Sequence, residues 1–265
     1  MDALDRVVAP GRDLLGRVDA ALVAAGAPPG DPIWPLLRRV GALPGDALEF
    51  AVGLDAEPML SAAAELRSRS RDFGDRSIDL TARIGSRPWT GSGAETFTAL
   101  WRALGSHIGD GAAADQPSIT GRLLAMSSYL DSVAHWMTAL RTKLAVAVAS
   151  ALISAEAVTL RAAAPSSSLA SLFDTPGFAG AGLGGAGLSG AGLSGAGLDG
   201  AGLSGGVVVR AAAAVGVRVL DVVVESLRAG HDLHDEWAPA LSELPYRPPA
   251  DTHVPVSSPI TRVEL

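Results

Sequence analysis

Residues 86 to 101 read SRPWTGSGAETFTALW, and the fold of the chain turns on how this stretch is understood. On its N-terminal side Met59, Ala63, Leu66, Ser70, Phe73, Ser77, Leu80 and Ile84 are separated alternately by 4 and 3. That alternation is a heptad seam, and Glu65, Arg69, Asp72 and Arg76 lie off it. On the C-terminal side Ala94, Phe97, Trp101, Leu104 and Ile108 keep the same spacing. Pro88 stands between them; it has no N–H to donate and pushes the residue before it away from the α region. One helix therefore does not run through. Gly85 is placed to stop the first helix, and Gly91 to adopt a backbone conformation costly for other residues. Ser92, with Glu95 three residues on, has the pattern of a capping box opening the second helix. The stretch thus predicts the turn of an αα-hairpin, and with it an all-α protein built as a long antiparallel helical hairpin or bundle.

Working outward, GDGAAADQPS (109–118) breaks the pattern again. Ile119, Leu123, Met126, Leu130, Val133, Met137, Leu140 and Leu144 then resume it. Continued to Arg161, this helix would be about 65 Å long, and a seam of that length must face another long helix. Residues 1–56 read as short helices cut by glycine and proline, beginning with DLLGRVDAALVAA (13–25), with Trp34, Leu36, Leu37 and Phe50 as expected core. Residues 57–163 form the hairpin region, 164–206 a linker, 207–242 a further helix and 243–265 a proline-rich tail expected to be disordered. Within the linker GAGLGGAGLSGAGLSGAGLDGAGLSG (180–205) repeats every five residues. Its units make about one coil of a pentapeptide β-helix, too little to bury a core, so a flexible linker is expected.

Composition narrows the function classes. Of 265 residues only 5% are aromatic, and the alanine-rich aliphatic remainder suits close helix-on-helix packing. A net charge of −7 disfavours nucleic acid and anionic membranes as partners. The absence of cysteine excludes disulfides and thiolate zinc sites. Lys143 is the only lysine among 21 basic residues, which with the alanine and glycine bias suggests a GC-rich, actinobacterial type of coding sequence. The start, MDALDRVVAPGRDLLG, has early acids and no unbroken apolar run, so no cleaved secretory signal is predicted. Two segments approach the length of a membrane span, 144–160 and 207–224. Glu156 in the first, and Arg210, Arg218 and Asp221 in the second, make buried bundle helices the better reading.

Few patterns carry chemistry. Gly180, Gly182 and Gly185 satisfy a dinucleotide-binding spacing, but it follows from the repeat, and no strand precedes it. His231 and His234 lie one helical turn apart amid Asp232, Asp235 and Glu236. No third histidine is near, and the expectation is a solvated acidic helix end without a metal. No nucleophile motif is present, so neither a catalytic residue nor a cofactor is predicted. Trp101 and Trp136 fall on or beside apolar seams and read as core, whereas Trp89 lies in the turn, where a partner can reach its ring.

PWTGSGAETFTALW resembles the WXG family of bacterial type VII secretion substrates, the ESAT-like helical hairpins, over residues 57–160. Trp89, Thr90 and Gly91 match the turn motif, and Ala94 and Phe97 the small and aromatic positions that follow it. The resemblance implies export without a cleaved signal, helical dimers or pseudo-dimers, engagement of the secretion machinery and no catalytic activity. Trp89 and Gly91 become the interaction motif. Its tyrosine-based signal, a Tyr with an acid four residues on, is missing: Tyr129 leads to Val133 and Tyr246 to Ala250. Export would then depend on a partner that carries the signal. Two alternatives stand beside this reading: the targeting part of a secreted toxin, and a cytoplasmic helical scaffold.

Overall fold

Asp2 opens the first helix. Its carboxylate accepts the Asp5 backbone N–H at 3.0 Å, and the Asp5 carboxylate accepts that of Asp2 at 2.7 Å, a reciprocal cap that satisfies donors otherwise orphaned. The helix therefore starts ten residues before the DLLGRV segment read from sequence, and it runs through the exposed Pro10. The structure, a computed structural model, describes residues 2–85, 90–110, 117–163 and 205–242. The described residues are all-α: α1 (Ala3–Ala25), α2 (Ile33–Val40), α3 (Pro44–Val52), α4 (Glu57–Gly85), α5 (Ser92–Ile108), α6 (Ile119–Leu152), α7 (Ala155–Ala162) and α8 (Gly205–Leu241). Most of the linker and all of the tail lie outside these residues.

Two compact units share the chain. One combines Met1–Ala56 with His135–Asp232, the other Glu57–Ala134 with the chain from Leu233. Helices α6 and α8 contribute to both.

The first unit holds a core of large side chains. Leu4, Leu14, Leu15 and Val18 of α1, Ile33 of α2, Leu48 of α3, Leu144 and Val148 of α6, and Val215, Val219 and Leu220 of α8 are fully buried. Trp34, Leu36 and Leu37 pack against this core as expected. Phe50 does not: it is 56% exposed, because Ala47, Leu48 and Ala51 take the inward face of α3. Asp19 of α1 is half-buried and accepts the Gly45 N–H, at 3.0 Å to one oxygen and 3.2 Å to the other. Burial pushes its carboxyl up to about 6 despite that bond, so it holds α1 to the start of α3 from a poorly solvated position. On the opposite side of α3 the Arg141 guanidinium of α6 donates to the carbonyls of Ala51, Val52 and Leu54 and to the carboxylates of Asp2 and Asp5. It thereby serves the carbonyl end of one helix and the cap of another.

The long helix expected from Ile119 to Arg161 is two helices. Helix α6 ends at Leu152, Ser154 accepts the Ala157 N–H at 3.3 Å to cap α7, and the axes meet at 64°. At 34 residues α6 is about 51 Å long. The signal for the break is in the sequence: a serine two residues before Glu156, the acid that favours a helix start. Among the described residues no single helix is long and apolar enough to cross a membrane, although α6 and α7 together pass on length and composition. Leu144, Val148, Ala151, Ala157 and Leu160 of that pair belong to the core of the first unit.

The second unit is built differently. Among the described residues its buried ones are small: Ala63, Ser70, Gly74 and Ser77 of α4, Ala94 of α5, and Ser118, Thr120, Gly121, Ala125, Ser127 and Ala134 at or within the start of α6. Small residues let helix backbones approach closely, but each buries little apolar area. Phe73, Leu80, Leu104 and Met126 are correspondingly 45%, 47%, 38% and 38% exposed. Phe73 and Leu80, like Met126, were expected on buried seams, and here the structure departs from that expectation. Only one of the two seam positions of α4 is inside, the one held by Ala63, Ser70 and Ser77.

Candidate functional site

Helices α4 and α5 form the hairpin read from the opening stretch. Trp101 of α5 donates its indole N–H to the Thr81 hydroxyl at 3.1 Å, and that hydroxyl donates to the Ser77 carbonyl one turn back in α4 at 2.7 Å. Phe97 stacks on Trp101 with ring centroids 6.5 Å apart and planes 12° from parallel. Of this pair, Trp101 thus ties α5 to α4 through its indole N–H.

Gly91 closes the turn. Its φ of 101° and ψ of 175° lie in a region that side chains bar to other residues. In that conformation its carbonyl accepts the N–H groups of both Ala94, at 3.0 Å, and Glu95, at 3.2 Å. Ser92 is consequently the first helical residue rather than the cap, and no side chain caps α5. The capping box expected of Ser92 and Glu95 does not form, because the glycine turns the chain one residue earlier. Gly91→Ala should therefore lower stability by about 1–3 kcal/mol, measured by urea unfolding. A loss under about 0.5 kcal/mol, the range of ordinary surface changes, would show that the turn does not need a glycine. Ser86, Arg87, Pro88 and Trp89 lie outside the described residues.

Most of the other contacts of this unit are polar. The Ser70 hydroxyl donates to the Thr120 carbonyl at 3.1 Å, Gly121 donates its N–H to the Ser118 hydroxyl at 3.1 Å, and that hydroxyl lies 3.3 Å from the hydroxyl of Thr120. Arg67 of α4 pairs with Asp131 of α6 at 2.5 Å, and Arg122 donates to the Leu241 carbonyl. Tyr129 packs at 54° on Trp237, with centroids 6.4 Å apart. These bonds fix the helices in register without adding a large-side-chain core. Beside them His107, Ile119, Arg122, Leu123 and Met126 line an open groove.

The outer face of α4 carries a pattern that sequence reading passed over. Leu66, Phe73 and Leu80 repeat every seven residues, and so do Arg69, Arg76 and Arg83 beside them and Glu65, Asp72 and Asp79 beyond. Arg69 is paired with Glu65, and Arg83 with Asp79 at 2.8 Å. The signal for it in the sequence is the heptad phase of these charges. Among the described residues no three His, Cys, Asp or Glu side chains are grouped to hold an ion.

Comparison with protein-family models, with curated proteins and with solved structures finds no match for this chain.

Proposed function

We propose that this chain is a non-enzymatic helical substrate or accessory protein of a type VII-like secretion system, acting through its α4–α5 hairpin. One observation carries the reading: among its described residues, the unit containing the hairpin buries only small ones and leaves Phe73, Leu80 and Leu104 38–47% exposed. Large apolar side chains left over on a helix pair are what a partner helix covers. The Trp89-Thr90-Gly91 turn, with Gly91 in a glycine-only conformation, is the sequence feature that points to the WXG class of partner and export route. Export is signal-peptide independent in this reading and proceeds with a partner that supplies the tyrosine-based signal. Another WXG-like helical protein and the secretion machinery are the partners, and the first unit is cargo or scaffold carried along.

The test is Trp89→Ala. If the tryptophan is presented to a partner, export or complex formation drops while helical circular dichroism and melting stay near those of the parent. A large aromatic truncated from a core instead costs about 3–5 kcal/mol. A melting loss of that size with normal export would make Trp89 a packing residue and would remove its part in the reading.

A further inference from the structure

We propose that the outer face of α4 docks an amphipathic helix of a partner protein that carries apolar residues at heptad spacing edged by Asp or Glu, and that it does not dock α4 of a second copy. The inference rests on the hairpin being an interaction module, and it adds the chemistry of what that module accepts.

Three rows run along α4 at seven-residue intervals. Ala63, Ser70 and Ser77 are buried in the unit. Leu66, Phe73 and Leu80 stand next to them, with Phe73 and Leu80 nearly half-exposed. Arg69, Arg76 and Arg83 follow on the solvent side, with side chains of Arg69 and Arg83 62% and 74% exposed. A helix laid on the Leu66–Phe73–Leu80 row is therefore flanked on one side by its host unit and on the other by arginines. Arg69 and Arg83 already lean on Glu65 and Asp79 four residues back. Exposed pairs of that kind are weak, so a guanidinium exchanges one for a partner carboxylate at little cost. It then gains a planar, bidentate match.

A second copy cannot supply that carboxylate from the same face. Two α4 helices packed antiparallel about a two-fold axis bring arginine row against arginine row. Packed parallel, they bring the arginines against the other flank, which carries Arg67, Gly74 and Thr81. Arg67 there is engaged by Asp131, and Gly74 is buried. Neither arrangement sets an acid row opposite the arginine row, because Glu65, Asp72 and Asp79 lie one row further from the seam than the arginines of their own helix.

Two synthetic peptides of about four heptads, with the same Leu and Ile seam, test this. One is flanked by Glu and the other by Lys, and each repels itself and stays monomeric. Titrated against the full chain by fluorescence anisotropy, the Glu peptide should bind roughly tenfold more tightly than the Lys peptide, the sum expected of three rim ion pairs. The preference should shrink as salt is raised. A six-fold variant combining Glu65→Arg, Arg69→Glu, Asp72→Arg, Arg76→Glu, Asp79→Arg and Arg83→Glu keeps the spacing of oppositely charged neighbours but reverses the row, and its preference should invert. Should that variant fail to fold by circular dichroism, Arg76→Gln serves in its place and should weaken the preference. Equal binding of both peptides, binding of neither, a preference indifferent to these changes, or a stable dimer of the chain at micromolar concentration by light scattering would each overturn the proposal. Binding is read here without secretion, so a failure of export leaves this result standing, and a failure of the peptides leaves the export reading to its own test.

Discussion

Arg141→Met is expected to destabilise the first unit by about 3 kcal/mol, because a single guanidinium serves acceptors on two helices and removing it leaves part of them poorly solvated. Its side chain is only 14% exposed, and it donates at 2.6 Å to Asp2, at 2.8 Å to Asp5 and Ala51, at 2.9 Å to Val52 and at 3.2 Å to Leu54. Methionine keeps most of the apolar stem, so the loss reports the charge and its hydrogen bonds rather than a cavity. Lysine at this position should recover only part, since one ammonium cannot span five acceptors. The loss should also depend on pH. The hydrogen bond from Arg141, helped by the Asp5 N–H, holds Asp2 down at about 2 against an ordinary 3.8. A carboxyl whose folded value lies below its unfolded value adds stability above the unfolded value and loses it as pH falls through the folded one. Parent and variant should therefore differ most at neutral pH and draw closer between about pH 4 and pH 2, the window set by those two values. Asp2 is partly exposed, so the main-chain acceptors should keep the two from becoming equal. Urea unfolding at several pH values measures this; a loss below about 1 kcal/mol, that of one ordinary hydrogen bond, would show that solvent replaces Arg141.

The second large effect is a change of sign. Trp136 of α6 donates its indole N–H to the Ser226 carbonyl of α8 at 2.7 Å, and its ring lies against Gly230, where an added Cβ would come within 2.9 Å of the ring. Trp136→Ala should cost about 3 kcal/mol, the low end for such truncations because the indole is partly exposed. Gly230→Ala alone should cost about 1–3 kcal/mol by crowding the ring. With Trp136→Ala already in place the crowding is gone, and the same glycine change should stabilise by up to about 1 kcal/mol, the helix preference of alanine over glycine. The double-mutant cycle measures the difference. If Gly230→Ala destabilises both backgrounds equally, the indole does not rest on that glycine.

The hairpin was legible because proline, glycine and heptad spacing are local signals. Pro88 between Gly85 and Gly91 disfavours a continuous helix, and the seams on either side repeat often enough to be read without any knowledge of neighbours. What spacing alone does not give is how deep a seam lies. Met59 to Ile84 repeat regularly, yet Ala63, Ser70 and Ser77 are buried while Phe73 and Leu80 are not. That outcome depends on which neighbour reaches the helix and how closely, which is tertiary information. The same limit explains Phe50, whose place on α3 was decided by Ala47, Leu48 and Ala51 facing the core. The break before α7 and the cap at Asp2 were written locally but outvoted in reading: an unbroken apolar run hid Ser154, and Pro10 hid the helix around it. Arg141 and Trp136 owe their importance to partners 87 or more residues away, which no local window contains.

Export remains the most direct test of the central claim. The full chain, tagged at one end, is expressed in a bacterium with a type VII-like secretion system and in the same strain lacking the secretion ATPase, each with a WXG-like partner that carries the tyrosine-based signal. Quantitative proteomics of the two culture media, normalised to a cytoplasmic marker, gives the answer. The account predicts the chain in the medium only when the ATPase is present. Equal amounts in both media, or retention inside the cells of both strains, would contradict it.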